Sequence, residues 1–195
     1  MHLERIWYPV IGFNVSQLLK LPTGTTRRVE VNEFSDGPAA ALGIVSPTAG
    51  SLRLMRTAAG ILVTGTLSHQ VESICSRCLE PFVRTQTIEI DEEFFPVVDV
   101  VTGMASPEPD VVDAFRLTDQ HVLDLSEAIR QYGILESPLQ PLCREDCKGL
   151  CSDCGANRNL GPCECEVASA AGPSGSFGTL LAERMRQAGF KPEEE

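Results

Sequence analysis

The stretch Ile61-Leu-Val-Thr-Gly-Thr-Leu-Ser-His-Gln-Val71 places Ile61, Val63, Leu67 and Val71 on one parity and Leu62, Thr64, Thr66, Ser68 and Gln70 on the other. Alternation with period two marks a half-buried antiparallel strand, one face on a core and the other in water. Upstream, Leu52 and Leu54 alternate with Arg53 and Met55, and Ala58-Ala59-Gly60 supplies a turn. Downstream the strand runs into Cys75-Ser-Arg-Cys78. Beyond Pro81, Phe82, Ile88, Ile90 and Phe94 share one parity while Val83, Thr85, Thr87, Glu89 and Asp91 face outward. The pattern predicts a β-meander from Ser51 to Phe95, with a cysteine pair at the turn joining its last two strands.

Outside the meander the signals are shorter. An apolar-rich opening leads to a possible helix at Val15–Leu21 and a strand around Arg28–Phe34, and Gly37–Gly50 reads as a loop. Residues 96–120 hold Pro96, Gly103, Pro107 and Pro109 and no periodicity, which predicts a solvated loop crossing the sheet. Asp124-Leu-Ser-Glu127 has the form of a capping box for a helix whose face is Leu125, Ala128, Ile129, Tyr132 and Leu135, ended by Pro138 and Pro141. A small-residue linker (Ala168–Gly178), a short amphipathic helix (Leu180, Leu181, Met185, Ala188) and an acidic tail close the chain.

Six of the eight cysteines fall in Cys143-Arg-Glu-Asp-Cys147-Lys-Gly-Leu-Cys151-Ser-Asp-Cys154-Gly-Ala-Asn-Arg-Asn-Leu-Gly-Pro-Cys163-Glu-Cys165. Two thiolates separated by a tight turn grip one tetrahedral ion, and two such turns complete a four-sulfur site, the way structural zinc is held. Eight ligands suffice for two zinc sites, the economical count, with a single occupied site and spare thiols as the remaining alternative. In the favoured partition Cys151, Cys154, Cys163 and Cys165 close a local knuckle, and Cys75, Cys78, Cys143 and Cys147 form a long-range site. The alternative joins 143/147 to 151/154 and leaves 75/78 to meet 163/165. Gly149 and Gly155 sit where a positive φ lets amides point at sulfur.

Two other cysteine chemistries are weighed and set aside. Cys147-x3-Cys151-x2-Cys154 matches the cluster signature of radical S-adenosylmethionine enzymes, but those need a large α/β barrel and only about 40 residues follow here. Redox work by Cys75-x2-Cys78 wants a helix start in a βαβ setting rather than a hairpin turn.

The run Cys147-Lys-Gly-Leu-Cys151-Ser-Asp-Cys154-Gly-Ala-Asn resembles the YceD family of bacterial and plastid proteins. So do Cys75-Ser-Arg-Cys78-Leu-Glu-Pro-Phe and Pro138-Leu-Gln-Pro141-Leu-Cys143. The likeness covers roughly residues 45 to 165. It implies a non-catalytic ribosome biogenesis factor needed for accumulation or maturation of large-subunit ribosomal RNA, with precursor ribosomal RNA or basic ribosomal proteins as partners.

Composition adds bounds. With 43% hydrophobic and 22% charged residues the chain suits a soluble domain. No window approaches the 18 or more apolar residues of a membrane span. The opening lacks a basic leader and an apolar stretch, so the expected compartment is the cytoplasm, where cysteines serve as ligands rather than disulfides. The net charge is −11, and Glu89, Asp91, Glu92, Glu93, Asp99, Glu108, Asp110 and Asp113 lie in a stretch without Lys or Arg. Two divalent ions on eight thiolates would take the total to about −15. So acidic a molecule cannot hold RNA broadly. A local basic face of Lys20, Arg27, Arg28, Arg53 and Arg56 is the candidate contact, with scattered surface arginines as the plain alternative.

His2, His69 and His121 do not cluster, Trp7, Tyr8 and Phe13 read as packing residues, and no catalytic constellation is visible. The expected fold is α+β: an antiparallel β-meander core with a few short helices and a C-terminal cysteine-rich zinc knuckle. Its expected parts are a β-rich domain (1–142, helix near 125–136), a metal segment (143–165) and a terminal appendage (166–195). The reading is a non-enzymatic binding factor. A zinc-dependent redox or holdase chaperone and a transcription-associated zinc adaptor are the alternatives.

Overall fold

The computed structural model describes residues 11–34 and 37–165, together with Arg184. His2, Trp7, Tyr8 and the linker, helix and tail expected after residue 165 lie outside the described residues. The chain divides into two compact units, one of Met1–Ile74 with Pro81–Pro141 and one of Cys75–Glu80 with Leu142–Glu195.

The first unit carries β1 (Gly12–Asn14), α1 (Ser16–Leu19), β2 (Thr26–Glu33), a 3-10 turn (Gly37–Leu42), β3 (Thr48–Arg56), β4 (Ile61–Ile74), β5 (Pro81–Phe94), β6 (Val122–Asp124) and α2 (Ser126–Leu135). Strands β2 to β5 form an antiparallel sheet in sequence order. The expected meander is therefore present, and β2 extends it by one strand. A small pairing of β1 with β6 was not legible, because three-residue strands carry too few positions to show a period.

Side-chain parity decides which face is covered. Val29, Val31, Leu52, Leu54, Ile61, Val63, Leu67, Ile88, Ile90 and Phe94 are buried on one face, in one cluster with Leu18, Leu117, Leu125, Ala128 and Ile129. Full burial of each large aliphatic side chain contributes about 1.5–3 kcal/mol, so this face dominates the unit's stability. The opposite face shows Arg28, Glu30, Ser51, Arg53, Thr66, Glu89 and Asp91 to solvent. Gly50 and Gly65 let β3 and β4 approach: a Cβ on Gly65 would meet the Ser51 carbonyl oxygen at 2.3 Å, and one on Gly50 the Thr66 oxygen at 2.1 Å.

Helix α2 begins differently from the capping-box expectation. Asp124 Oδ1 accepts from the Ser126 amide at 2.8 Å, but Glu127 turns to its own helix, where Arg130 donates to it at 2.9 and 2.6 Å. That contact holds the Glu127 carboxyl down at about 2. A charged hydrogen bond one helical turn away outcompetes the reach back to the Asp124 amide. Leu135, the last residue of the expected apolar face, is exposed.

The segment after β5 is more ordered than its composition suggests. Phe95 exchanges backbone hydrogen bonds of 2.9 Å with Phe115 and Leu117, Phe115 stacks on Phe94 with centroids 5.2 Å apart, and Leu117 is buried. The acidic run between hides these anchors because they lie at its two ends. Among the described residues, no helix is long and apolar enough to cross a membrane.

Candidate metal centres

The second unit is built on two turns of the same design. In Cys75–Glu80 the Cys75 amide donates to the Glu80 oxygen at 3.0 Å and the Leu79 amide to the Cys75 oxygen at 2.9 Å. In Cys151–Ala156 the Cys151 amide donates to the Ala156 oxygen at 2.8 Å and the Gly155 amide to the Cys151 oxygen at 2.9 Å. Each turn needs a left-handed residue after its second cysteine. Gly155 takes it at φ +72°, whereas Leu79 takes it at φ +59° despite its side chain. The glycine at 155 was readable in the sequence; its equivalence to Leu79 was not, since leucine gives no turn signal.

The turns bring the sulfurs together as Cys75/Cys78/Cys143/Cys147 and Cys151/Cys154/Cys163/Cys165, each set with all Sγ atoms within 4.8 Å of one another. This is the local-knuckle arrangement; the alternative partition is not the one formed. Ligands about 2.3 Å from a central ion in a tetrahedron stand about 3.8 Å apart. Cys75 and Cys147 Sγ are 3.7 Å apart and Cys78 and Cys143 Sγ 3.8 Å apart, so two edges of the first tetrad already have the spacing of a tetrahedral site. It is also the drier of the two: Cys75, Cys78 and Cys147 are buried, whereas Cys154 is exposed and Cys151 and Cys165 half-buried.

Without an ion, the sulfurs cannot all be charged at once. The Cys78 amide draws the Cys75 thiol down to about 6, and burial pushes Cys143 up to about 12. In the second tetrad the Cys154 amide lowers Cys151 to about 7, and the hydrogen bond between the Cys165 and Cys154 sulfurs raises Cys165 to about 12. Each set is split between sulfurs whose charge amides favour and sulfurs that burial or a neighbouring sulfur keeps protonated. A divalent cation would let all four ionise and would release protons on binding.

Residues around the sulfurs complete the frame. Arg77 Nη1 donates to the carbonyls of Cys147 (3.0 Å) and Glu145 (3.3 Å), and the Leu150 amide donates to Arg77 O at 3.1 Å. Gly149 is left-handed at φ +72°. Asn159 donates from Nδ2 to Cys147 Sγ at 3.3 Å, which lowers the Cys147 thiol pKa. Neither Asn157 nor Asn159 was singled out from the sequence. The available signal was a pair of carboxamides, able to donate to sulfur, inside a cysteine-bounded loop.

The five basic residues do not share one environment. Arg28 and Arg53 are exposed and directly paired across β2 and β3. Arg27 donates to Asn14 O at 3.4 Å. Arg56 spends its guanidinium on the carbonyls of Leu19, Thr57 and Gly60. Lys20 is exposed at the end of α1.

Comparisons with known proteins follow the cysteines. A family model described as "Large ribosomal RNA subunit accumulation protein YceD" matches residues 63–175. An uncharacterized protein of Mycobacterium tuberculosis is 38% identical over 104 residues, covering 53% of this chain and 48% of the relative. One of Mycobacterium leprae is 30% identical over 113 residues, covering 57% and 49%. "Large ribosomal RNA subunit accumulation protein YCED homolog 1, chloroplastic" of Arabidopsis thaliana is 38% identical over 210 residues, covering 95% of this chain and 61% of the relative. The chain thus spans about half the length of the mycobacterial relatives. No solved structure matches it. With more than half of its length matched by the family model, and all eight cysteines inside the match, the chain belongs to the YceD family.

Proposed function

We propose that this protein is a non-enzymatic ribosome biogenesis factor that supports accumulation of large-subunit ribosomal RNA in the cytoplasm, and that both tetrads hold structural zinc. The family match across residues 63–175 carries the reading. It is supported by the donor sets: four thiolates at tetrahedral spacing form a closed site with no position left for a substrate, the arrangement of structural rather than catalytic zinc. The partner is precursor ribosomal RNA or a basic ribosomal protein. The exposed Arg28 and Arg53 are the residues best placed for a phosphate, and Lys20 and Arg27 precede Arg28 in sequence, whereas Arg56 acts through its backbone contacts.

The test is depletion of the protein followed by the ratio of large- to small-subunit ribosomal RNA, with affinity capture of the tagged chain. The expected result is a selective fall of the large-subunit RNA and capture of pre-ribosomal particles. An unchanged ratio, or capture of misfolded clients or of RNA polymerase, would overturn the proposal in favour of a chaperone or a transcription adaptor. Elemental analysis of anaerobically purified protein is expected to give two zinc ions per chain.

A further inference from the structure

The loop between Cys154 and Cys163 is closed at both ends by ligands of the second tetrad, yet its side chains serve the first. Asn159 uses its whole carboxamide there. Nδ2 donates to Cys147 Sγ at 3.3 Å and to Asn157 Oδ1 at 2.8 Å. Oδ1 accepts from the Lys148 amide at 2.8 Å and from Arg144 Nη2 at 2.7 Å. Two donors and two lone pairs are all that a carboxamide has, and three of the four partners lie in the Cys143–Cys147 arm or next to it. The Arg158 amide adds a bond to Gly149 O at 2.9 Å.

We propose that Asn159 is a positioning residue that couples the two metal sites, so that loading the second tetrad tightens ion binding at the first. The inference rests on the reading that both tetrads bind metal. The physical reason is order. Leu160 is 87% exposed, so hydrogen bonds rather than apolar packing hold the loop, and an ion on its bounding cysteines supplies the closure that fixes it. Asn159 is then already placed when the first tetrad closes: its N–H orients the Cys147 thiolate and its oxygen holds the Lys148 amide. Coupling of this kind is reciprocal, so an ion at the first tetrad also favours the second.

The test uses the whole 195-residue chain loaded with zinc, and with cadmium-113 for spectroscopy, against a competing chelator. Asn159→Asp keeps the oxygen that accepts from Lys148 and Arg144 and replaces the N–H that faces sulfur. It is expected to retain two ions and the wild-type circular dichroism, to shift the cadmium resonance of the first tetrad, and to weaken retention there by about 10- to 100-fold. The double variant Cys154→Ser/Cys165→Ser is expected to lose the second ion and to weaken the first by a similar factor. Adding Asn159→Asp to it should cost little more. Wild-type retention at the first tetrad in either variant, or fully additive losses, would overturn the coupling. If Asn159→Asp fails to fold, the cysteine variant decides alone. A wild-type protein that binds no metal would instead defeat the zinc reading itself.

Discussion

Arg28 and Arg53 stand directly opposite each other in the β2–β3 ladder, both exposed, and neither makes an ion pair among the described residues. Like charges in this position are destabilising. In a molecule of net charge −11 the pair shares its exposed face with Glu30, Glu89 and Asp91, so the positive charge it offers is confined to the two guanidinium groups.

The first prediction concerns this pair. Arg53→Glu should raise stability by about 0.2–1 kcal/mol by turning repulsion into attraction; if the proposed partner is RNA held through this pair, it should also weaken that binding and flatten its salt dependence. Thermal unfolding and RNA binding at two salt concentrations read the two effects. Stabilisation without loss of binding would leave the pair with no role in RNA contact.

Leu79 and Gly155 occupy the same position of the two cysteine turns. A left-handed conformation costs a leucine about 1–2 kcal/mol, and glycine returns roughly 0.5–1 kcal/mol of that as chain entropy. Leu79 is 63% exposed, so little packing is lost. Leu79→Gly should therefore be neutral or stabilising by up to about 1 kcal/mol, and Gly155→Leu destabilising by a similar amount. Chelator competition and thermal unfolding of the loaded proteins check the pair: a destabilised Leu79→Gly, or an unchanged Gly155→Leu, would contradict the shared turn geometry.

Close backbone approach makes Gly65 intolerant of a side chain, since a Cβ would lie 2.3 Å from Ser51 O and 3.0 Å from Leu52 Cα. Gly65→Ala should cost about 1–3 kcal/mol, read from the urea midpoint. Gly103 has nothing within 4 Å of its Cβ position, so Gly103→Ala should lose only the cost of its left-handed φ.

His69 is 2% exposed on β4, and burial holds its imidazole below the ordinary 6.5. The folded protein keeps it neutral, while the unfolded chain takes up a proton below about pH 6.5. Stability from this group is thus complete above that pH and falls as pH drops from there toward the lowered folded value. His69→Leu should flatten the pH dependence of the urea midpoint between pH 7.5 and 5.5. A slope identical to that of the wild type would assign it to other groups.

Removing metal should act on one unit. The described residues of the second unit, 75–80 and 142–165, take no part in the apolar cluster, which lies wholly in the sheet unit. Chelation should expose the amides of residues 143–165 to hydrogen exchange and leave β3, β4 and β5 protected. Loss of protection in all three strands at the same chelator concentration would contradict that independence.

The residues by themselves determined the meander and the candidate ligand set, because both are written in short-range spacing: parity assigns Ile61, Val63, Leu67 and Ile88 to one face, and separations of one to three residues mark cysteines able to share an ion. Family membership was legible in the same cysteine runs. Only the tertiary structure decided what depends on residues distant in sequence. It chose between two cysteine partitions that spacing allowed. It gave Leu79 the backbone of a glycine, and it set Asn159 against Cys147. It also separated the five basic residues, spending Arg56 on three carbonyls and leaving Arg28 and Arg53 to face each other. Spacing along a chain specifies which atoms can meet within one turn or strand, whereas register, loop closure and hydrogen-bond competition between segments specify which of them do.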